Sequence, residues 1–382
     1  MKKLLIISNQ FPNKQNPVQG IYVKEQALEL KKYFKVNVFT VQNTGTNSIS
    51  NYCSDKIDVT YVQFSFRKFL FSPLKYFIAV REPLKKILRD YNPDIIHVHD
   101  YQHIPDVFVL SFLLKKYISK TVVTFHNSRQ LFDSHLYMRW FYKATLRNVL
   151  AKFNKIIVVS NKLNKMISKY CSSNNVRIIG NGIRAIEYHC SKDQLEPFIQ
   201  KIDKNYFNII AVGNLTPTKG FDLLIKTVVE LIKLNYKINL HIFGNGSEKE
   251  KLEGIVVSNN LSENVFLHGR LENRIIRNLY KYFDAFVLPS WSETFGIVYL
   301  EAMYSKIPII GVRGEGIDGV IIHKENGLLC ESRDLDTLME CILYIMNEKG
   351  KIKKIVNNAY NLVMNKYVMQ KIVEQIMDYY EA

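Results

Sequence analysis

Apolar residues fall in short, largely unbroken runs, separated by longer stretches in which they recur every three or four positions. Runs at 4–7, 36–41, 95–98, 122–125, 156–159 and 176–179 have the length and pattern of strands buried on both faces of a parallel sheet. Between them, residues 21–33, 73–89, 105–116, 136–151 and 162–170 carry the helical period. Such alternation predicts a doubly wound α/β domain.

After Gly180-Asn-Gly-Ile183 the pattern lapses through polar residues, and a second set begins near 205. Its strands are expected at 207–212, 238–243, 265–267, 285–288 and 307–312, with helices at 221–234, 248–257, 274–282, 296–305 and 334–347. Helical residues near 360–380 close the chain. The expected organisation is a Rossmann-like domain over 1–180, a linker over 181–205, a second Rossmann-like domain over 206–360 and a final segment over 361–382. Two α/β domains in series imply a ligand cleft between them.

A chain of 382 residues, 47% of them hydrophobic, is large enough for two such cores. Its five cysteines (Cys53, Cys171, Cys190, Cys330 and Cys341) are odd in number and show no C-x-x-C spacing. That argues against a disulfide framework or a zinc site and favours a reducing compartment. The N-terminus has too few apolar residues for a signal-peptide core, and no stretch approaches the roughly 18 to 20 needed to span a bilayer. A cytoplasmic protein is expected.

The net charge of +17 is unevenly placed: residues 1–170 hold 27 Lys or Arg against 10 Asp or Glu, and residues 171–382 hold 25 against 25. Within the basic half, Phe64, Phe66, Phe69, Phe71, Tyr76 and Phe77 alternate with Arg67, Lys68, Lys75, Arg81, Lys85, Lys86 and Arg89. One reading is a core face backed by a solvated face. The other is an anionic membrane surface, where each cation near the headgroups adds about 1 kcal/mol. Nucleic acid is a third possible partner of a basic half, although no reader motif accompanies it.

Chemistry concentrates in Pro289-Ser-Trp-Ser-Glu293-Thr-Phe-Gly-Ile-Val-Tyr-Leu-Glu301, a predicted strand end, loop and helix start. Glu293 falls in the loop, where the N–H groups of Thr294, Phe295 and Gly296 are free to face an anion. Glu301 falls in the second helical turn, roughly 7 to 8 Å along from Gly296 at about 1.5 Å per residue. Two carboxylates so spaced can grip the ends of an elongated polar ligand. Gly213-Asn214-Leu-Thr-Pro-Thr-Lys219-Gly follows a strand and offers a glycine and a compact cation to a phosphate. Gly244-Asn-Gly246 opens another helix, but Lys249 stands where a dinucleotide fingerprint needs its third glycine. His126 ends a strand at the expected cleft edge, and Gly20 precedes a helix, where it is equally well explained as a helix-start glycine. His97-Val-His99-Asp100 invites a metal, yet alternate residues on one strand do not close a ligand set.

The segment from Glu293 to Glu301 resembles the E-x7-E signature of retaining, nucleotide-sugar-dependent glycosyltransferases of family 4, and the likeness extends over roughly residues 207–345. It implies a GT-B architecture of two facing Rossmann-like domains, with the last helix crossing back to the first. It implies that Glu293 holds the transferred sugar, that Glu301 holds the ribose, and that Lys219 stabilises the departing diphosphate. Gly244, His268 and Arg270 fall near the nucleotide base by the same likeness, and Gly20 and His126 near the sugar. Asn214 departs from the family, which has arginine there. The resemblance implies a hexosyltransferase with a nucleoside-diphosphate sugar as donor, no cofactor and no divalent metal. The expected acceptor is a lipid-linked glycan of bacterial surface polysaccharide, met at the inner face of the membrane. A GT-B phosphorylase is the related alternative.

Overall fold

The computed structural model describes residues 1–13, 16, 19–65, 72–99, 104–127 and 139–382. Phe66, Arg67, Lys68, Phe69, Phe71 and Asp100, singled out above, lie outside the described residues, as does the start of the helix expected from 136. The chain forms two units, one of residues 1–182 with 369–382, the other of residues 183–368.

The first unit is built on an eight-stranded sheet of β1 (Lys3–Ser8), β2 (Lys35–Asn43), β3 (Ser48–Ser54), β4 (Ile57–Phe64), β5 (Ile95–His99), β6 (Thr121–Phe125), β7 (Lys155–Val158) and β8 (Val176–Ile178). Their order is β3-β4-β2-β1-β5-β6-β7-β8. Every pairing is parallel except the β3–β4 hairpin. β1 lies near the centre of the sheet, and Leu4, Leu5, Ile6 and Ile7 are fully buried, which is why they read as a continuous apolar run. The hairpin is absent from the sequence expectation because β3 is a mostly exposed edge strand with few apolar residues. Its turn, Asp55-Lys56, holds both residues at positive φ, as a two-residue hairpin requires.

The helix Met369–Glu381 packs within this first unit, burying Ile372, Val373, Ile376, Tyr379 and Tyr380. The Tyr380 hydroxyl lies 2.6 Å from Nδ1 of the buried His97, whose Nε2 lies 2.6 Å from Thr124 Oγ1. Residues 361–368 stay in the second unit. A π turn, Val363–Tyr367, and an extended Val368 separate the helix Lys349–Leu362 from the last one, so 361–382 is not one helix.

The second unit has six strands, β9 (Phe207–Val212), β10 (Ile238–Phe243), β11 (Val265–Gly269), β12 (Ala285–Val287), β13 (Ile309–Val312) and β14 (Leu328–Cys330). Their order, β11-β10-β9-β12-β13-β14, is parallel throughout. The order reverses between β9 and β12, and ligands of open α/β sheets bind beyond the strand ends at such a point. Residues 183–205 are not a free linker. They hold a helix, Lys192–Ile199, and are tied down by Asn278, which donates to the Tyr188 carbonyl at 2.7 Å, and by Arg277, which donates to the Arg184 carbonyl at 2.8 Å. Polar anchoring of this kind leaves no apolar periodicity to read.

All five cysteines are free thiols. No helix of the described residues is long and apolar enough to cross a membrane.

Two outcomes follow from this packing. Ile376→Ala should cost about 2–5 kcal/mol in urea unfolding, and Ile322→Ala, at a 51% exposed position, less than about 0.5 kcal/mol. Burial, aided by neighbouring His126, lowers the His97 pKa from 6.5 to about 3, and burial with His268 and Lys201 does the same for His241. Between pH 6.5 and 5 the unfolded chain therefore holds more protons than the native one. Stability should fall as pH falls, each ring contributing a slope that approaches about 1.4 kcal/mol per pH unit. A flat stability profile over that interval would contradict the burial of both rings.

Candidate functional site

The loops that leave β9 and β12 emerge from neighbouring strands and clasp each other. Ser290 Oγ and Trp291 N–H both donate to the Thr218 carbonyl, at 3.1 and 3.0 Å. Gly220, at φ +72°, would place a Cβ 2.3 Å from the Pro289 carbonyl oxygen, so only glycine lets the two backbones meet. That contact delivers Lys219 to Glu293. Their side chains form an ion pair and are 21% and 13% exposed.

Glu293 is held from several sides. Its N–H donates to Glu315 Oε2 at 2.8 Å, and its carbonyl accepts from Gly316 N–H at 3.0 Å. Gly316 approaches so closely that a Cβ would lie 2.1 Å from the Thr294 carbonyl. The Thr294 N–H, expected to face an anion, points at Glu293 Oε1 at 3.3 Å, so the protein's own carboxylate takes that position. Phe295 is buried, with its ring 6.1 Å from that of Tyr367.

Gly296, at φ +83°, starts the helix Ile297–Tyr304, and a Cβ there would strike the Tyr299 ring at 2.6 Å. The Tyr299 hydroxyl donates to the Leu288 carbonyl at 2.6 Å, tying the helix to the end of β12. Glu301 does not project to solvent. It is 6% exposed and accepts from Asn273 Nδ2 at 2.8 Å. It sits beside the Tyr280 phenol, whose pKa is raised well above 10 by burial and further by Glu301.

The other candidates of this unit divide. Gly213 has ordinary space around it, and Asn214 is exposed. Gly244 and Gly246 have a packing role: a Cβ on either would fall 1.8 Å from the Gly213 carbonyl oxygen or 2.3 Å from that of Leu215. They press the turn after β10 onto the turn after β9. His268 stacks on Phe243 at 4.5 Å, with its Nε2 2.9 Å from His241 Nδ1. Burial, then Lys201, lowers its pKa to about 4, so the ring is neutral near pH 7. Arg270, just beyond β11, is exposed.

In the first unit, Gly20 caps the helix Ile21–Leu30 at φ +66°, and a Cβ would lie 2.2 Å from the Gln10 carbonyl oxygen. Tyr22, on the first turn, lies against His126 with ring centroids 4.6 Å apart. His126 follows β6 by one residue and touches His99 and Asn181 through its two ring nitrogens. Among the described residues, no three His, Cys, Asp or Glu side chains are grouped so as to hold a metal ion.

Sequence reasoning did not single out Glu315, Asn273, Asn181 or Tyr22. Glu315 had a signal in its two flanking glycines; the others meet their partners only through the fold.

Residues 19–185 match the family described as Glycosyltransferase Family 4, and residues 192–362 match Glycosyl transferases group 1. An uncharacterised glycosyltransferase of Methanocaldococcus jannaschii is 28% identical over 312 residues, 81% of this chain and 82% of that protein. CapM, a capsular polysaccharide biosynthesis glycosyltransferase of Staphylococcus aureus, is 25% identical over 234 residues, 59% of this chain and 61% of CapM. Among solved structures, HepE of Anabaena in complex with UDP is similar with a TM-score of 0.74 at 18% identity, covering 99% of each chain. That likeness is one of fold, two Rossmann-like α/β domains with parallel sheets. Each unit carries its own family match, and between them they establish that the chain belongs to the group 1 glycosyltransferases.

Proposed function

We propose that the protein transfers a hexose, with retention of configuration, from a nucleoside-diphosphate sugar to a hydroxyl of a glycan acceptor. The observation that carries this reading is the Lys219–Glu293 pair at the strand-order switch of the second unit. A lysine there supplies positive charge where the leaving diphosphate develops negative charge, and the adjacent carboxylate offers two acceptors to sugar hydroxyls. The Glu301–Asn273 pair is the corresponding grip on the ribose. His268, held neutral, is the group on the second unit that lies by the base.

The step itself needs no protein base. The acceptor oxygen bonds to the anomeric carbon as the bond from that carbon to the diphosphate breaks, and the acceptor's proton passes to the departing phosphate oxygen. Lys219 stabilises the charge left behind, in the place where the family's arginine at position 214 would otherwise share it. The reading includes no divalent metal.

Support for the nucleotide comes from HepE, whose solved complex contains UDP. Support for the acceptor class comes from CapM, named for capsular polysaccharide biosynthesis. The basic first unit, with Leu74 and Ile78 exposed on the helix Ser72–Tyr91 beside Lys75 and Arg81, favours a lipid-linked acceptor reached at an anionic membrane face of the cytoplasm.

Lys219→Ala and Glu293→Ala should each lower kcat by about 10²-fold or more, with the far-ultraviolet circular dichroism unchanged. Turnover unaltered in either variant would overturn the assignment. Transfer should persist in excess EDTA. In a thermal-shift panel of UDP- and GDP-sugars, the true donor at 100 times its Kd should stabilise the protein by about 2.7 kcal/mol; a strict metal requirement, or no response to any nucleotide sugar, would count against the proposal.

A further inference from the structure

The second unit holds a cavity of about 400 Å³ that is lined by none of the residues given a part in the transfer. It lies among the segment ahead of the helix Lys192–Ile199, the end of the helix Asn273–Leu279 and the end of the helix Ile297–Tyr304. Glu187, Tyr188, His189, Arg277, Lys281 and Tyr304 are among its walls. A water occupies roughly 30 Å³ in the liquid, so the space has room for a small organic molecule rather than one trapped water.

Arg277 is the group in this cavity without a counterpart. Its guanidinium carbon lies over two rings, 4.9 Å from the centroid of Tyr188 and 5.1 Å from that of Tyr304. Ring faces attract a cation but present no oxygen to its N–H donors. Nη1 donates to the Arg184 carbonyl at 2.8 Å, whereas Nη2 is buried with no partner among the described residues. A charged donor buried and unpaired is costly, and it marks a place where an acceptor belongs. Glu187, exposed on the same wall, forms no ion pair with it. Lys281, one helical turn past Arg277, brings a second cation.

We propose that this cavity binds a small ligand through an oxyanion, phosphoryl or carboxylate, with Arg277 as the anchor and Lys281 as the supporting charge. The guanidinium edge matches two oxygens of such a group, and the two tyrosine rings hold it in place. The site is separate from the one proposed for the donor, since Lys219, Glu293 and Glu301 do not line it. It nevertheless uses the two helices that bring Asn273 to Glu301, about one turn further along each.

The test is calorimetric titration of inorganic phosphate, and separately of acetate, into the whole chain carrying Lys219→Ala, so that the cation assigned to the diphosphate contributes nothing. At least one probe should bind with a Kd on the order of 1 mM or tighter; the tighter of the two tells which group the site prefers. Adding Arg277→Gln should weaken that binding about tenfold or more. Adding Lys281→Ala should weaken it about twofold to fivefold, and adding Glu187→Gln should strengthen it by a similar factor. If the Arg277 variant does not fold, the opposite directions of the Lys281 and Glu187 effects decide. No saturable binding of either probe, or an affinity that these variants leave unchanged (an adventitious ion only), would overturn the proposal. Because Lys219 is absent throughout, the result holds whether or not the donor assignment does.

Discussion

The partly buried ion pair of Lys219 and Glu293 is the contact on which the rest of the second unit's site depends. A charge moved out of water is costly unless it is paired, and each of these is the other's partner. Two loops that are separate in sequence must therefore stay in register. They meet because β9 and β12 are neighbours at the reversal of strand order, and because Gly220 lets one backbone press on the other. A ligand bearing a diphosphate enters this balance as a competitor for the lysine. The pair is neutral in itself, and on the proposed function the substrate's own charge would rearrange it.

Close backbone approach recurs throughout the arrangement. Gly316 against Thr294 and Gly244 against Gly213 bring turns together at distances no Cβ would allow. Glycine-rich text in this chain is therefore not in itself a sign of phosphate contact. Part of it exists so that Glu315 can hold the Glu293 backbone, and so that the turns after β9 and β10 form one surface.

Fold class was legible from the sequence because parallel strands buried on both faces appear as unbroken apolar runs, as at Leu4 to Ile7. Elements lacking that signature were not legible. β3 is exposed and polar, and the stretch before the helix Lys192–Ile199 is anchored by Asn278 and Arg277, which donate to the Tyr188 and Arg184 carbonyls, rather than through a periodic apolar face. At the site, the spacing of Glu293 and Glu301 could be read, but not that Glu301 turns inward to Asn273 or that Thr294 N–H is used by Glu293. Pairings such as Lys219 with Glu293, or His126 with Asn181, join residues 74 and 55 positions apart. No local pattern records them; they exist only once strand order is set.

The central claim, that Lys219 is shared between Glu293 and the donor's diphosphate, is tested most directly by calorimetric titration of UDP and GDP into the wild-type protein, Lys219→Ala and Glu293→Ala. The account predicts that the nucleotide bound by the wild type binds more weakly to Lys219→Ala and more tightly to Glu293→Ala, where the lysine is released and a negative charge is gone. Weaker nucleotide binding in Glu293→Ala, or affinity indifferent to Lys219, would contradict it.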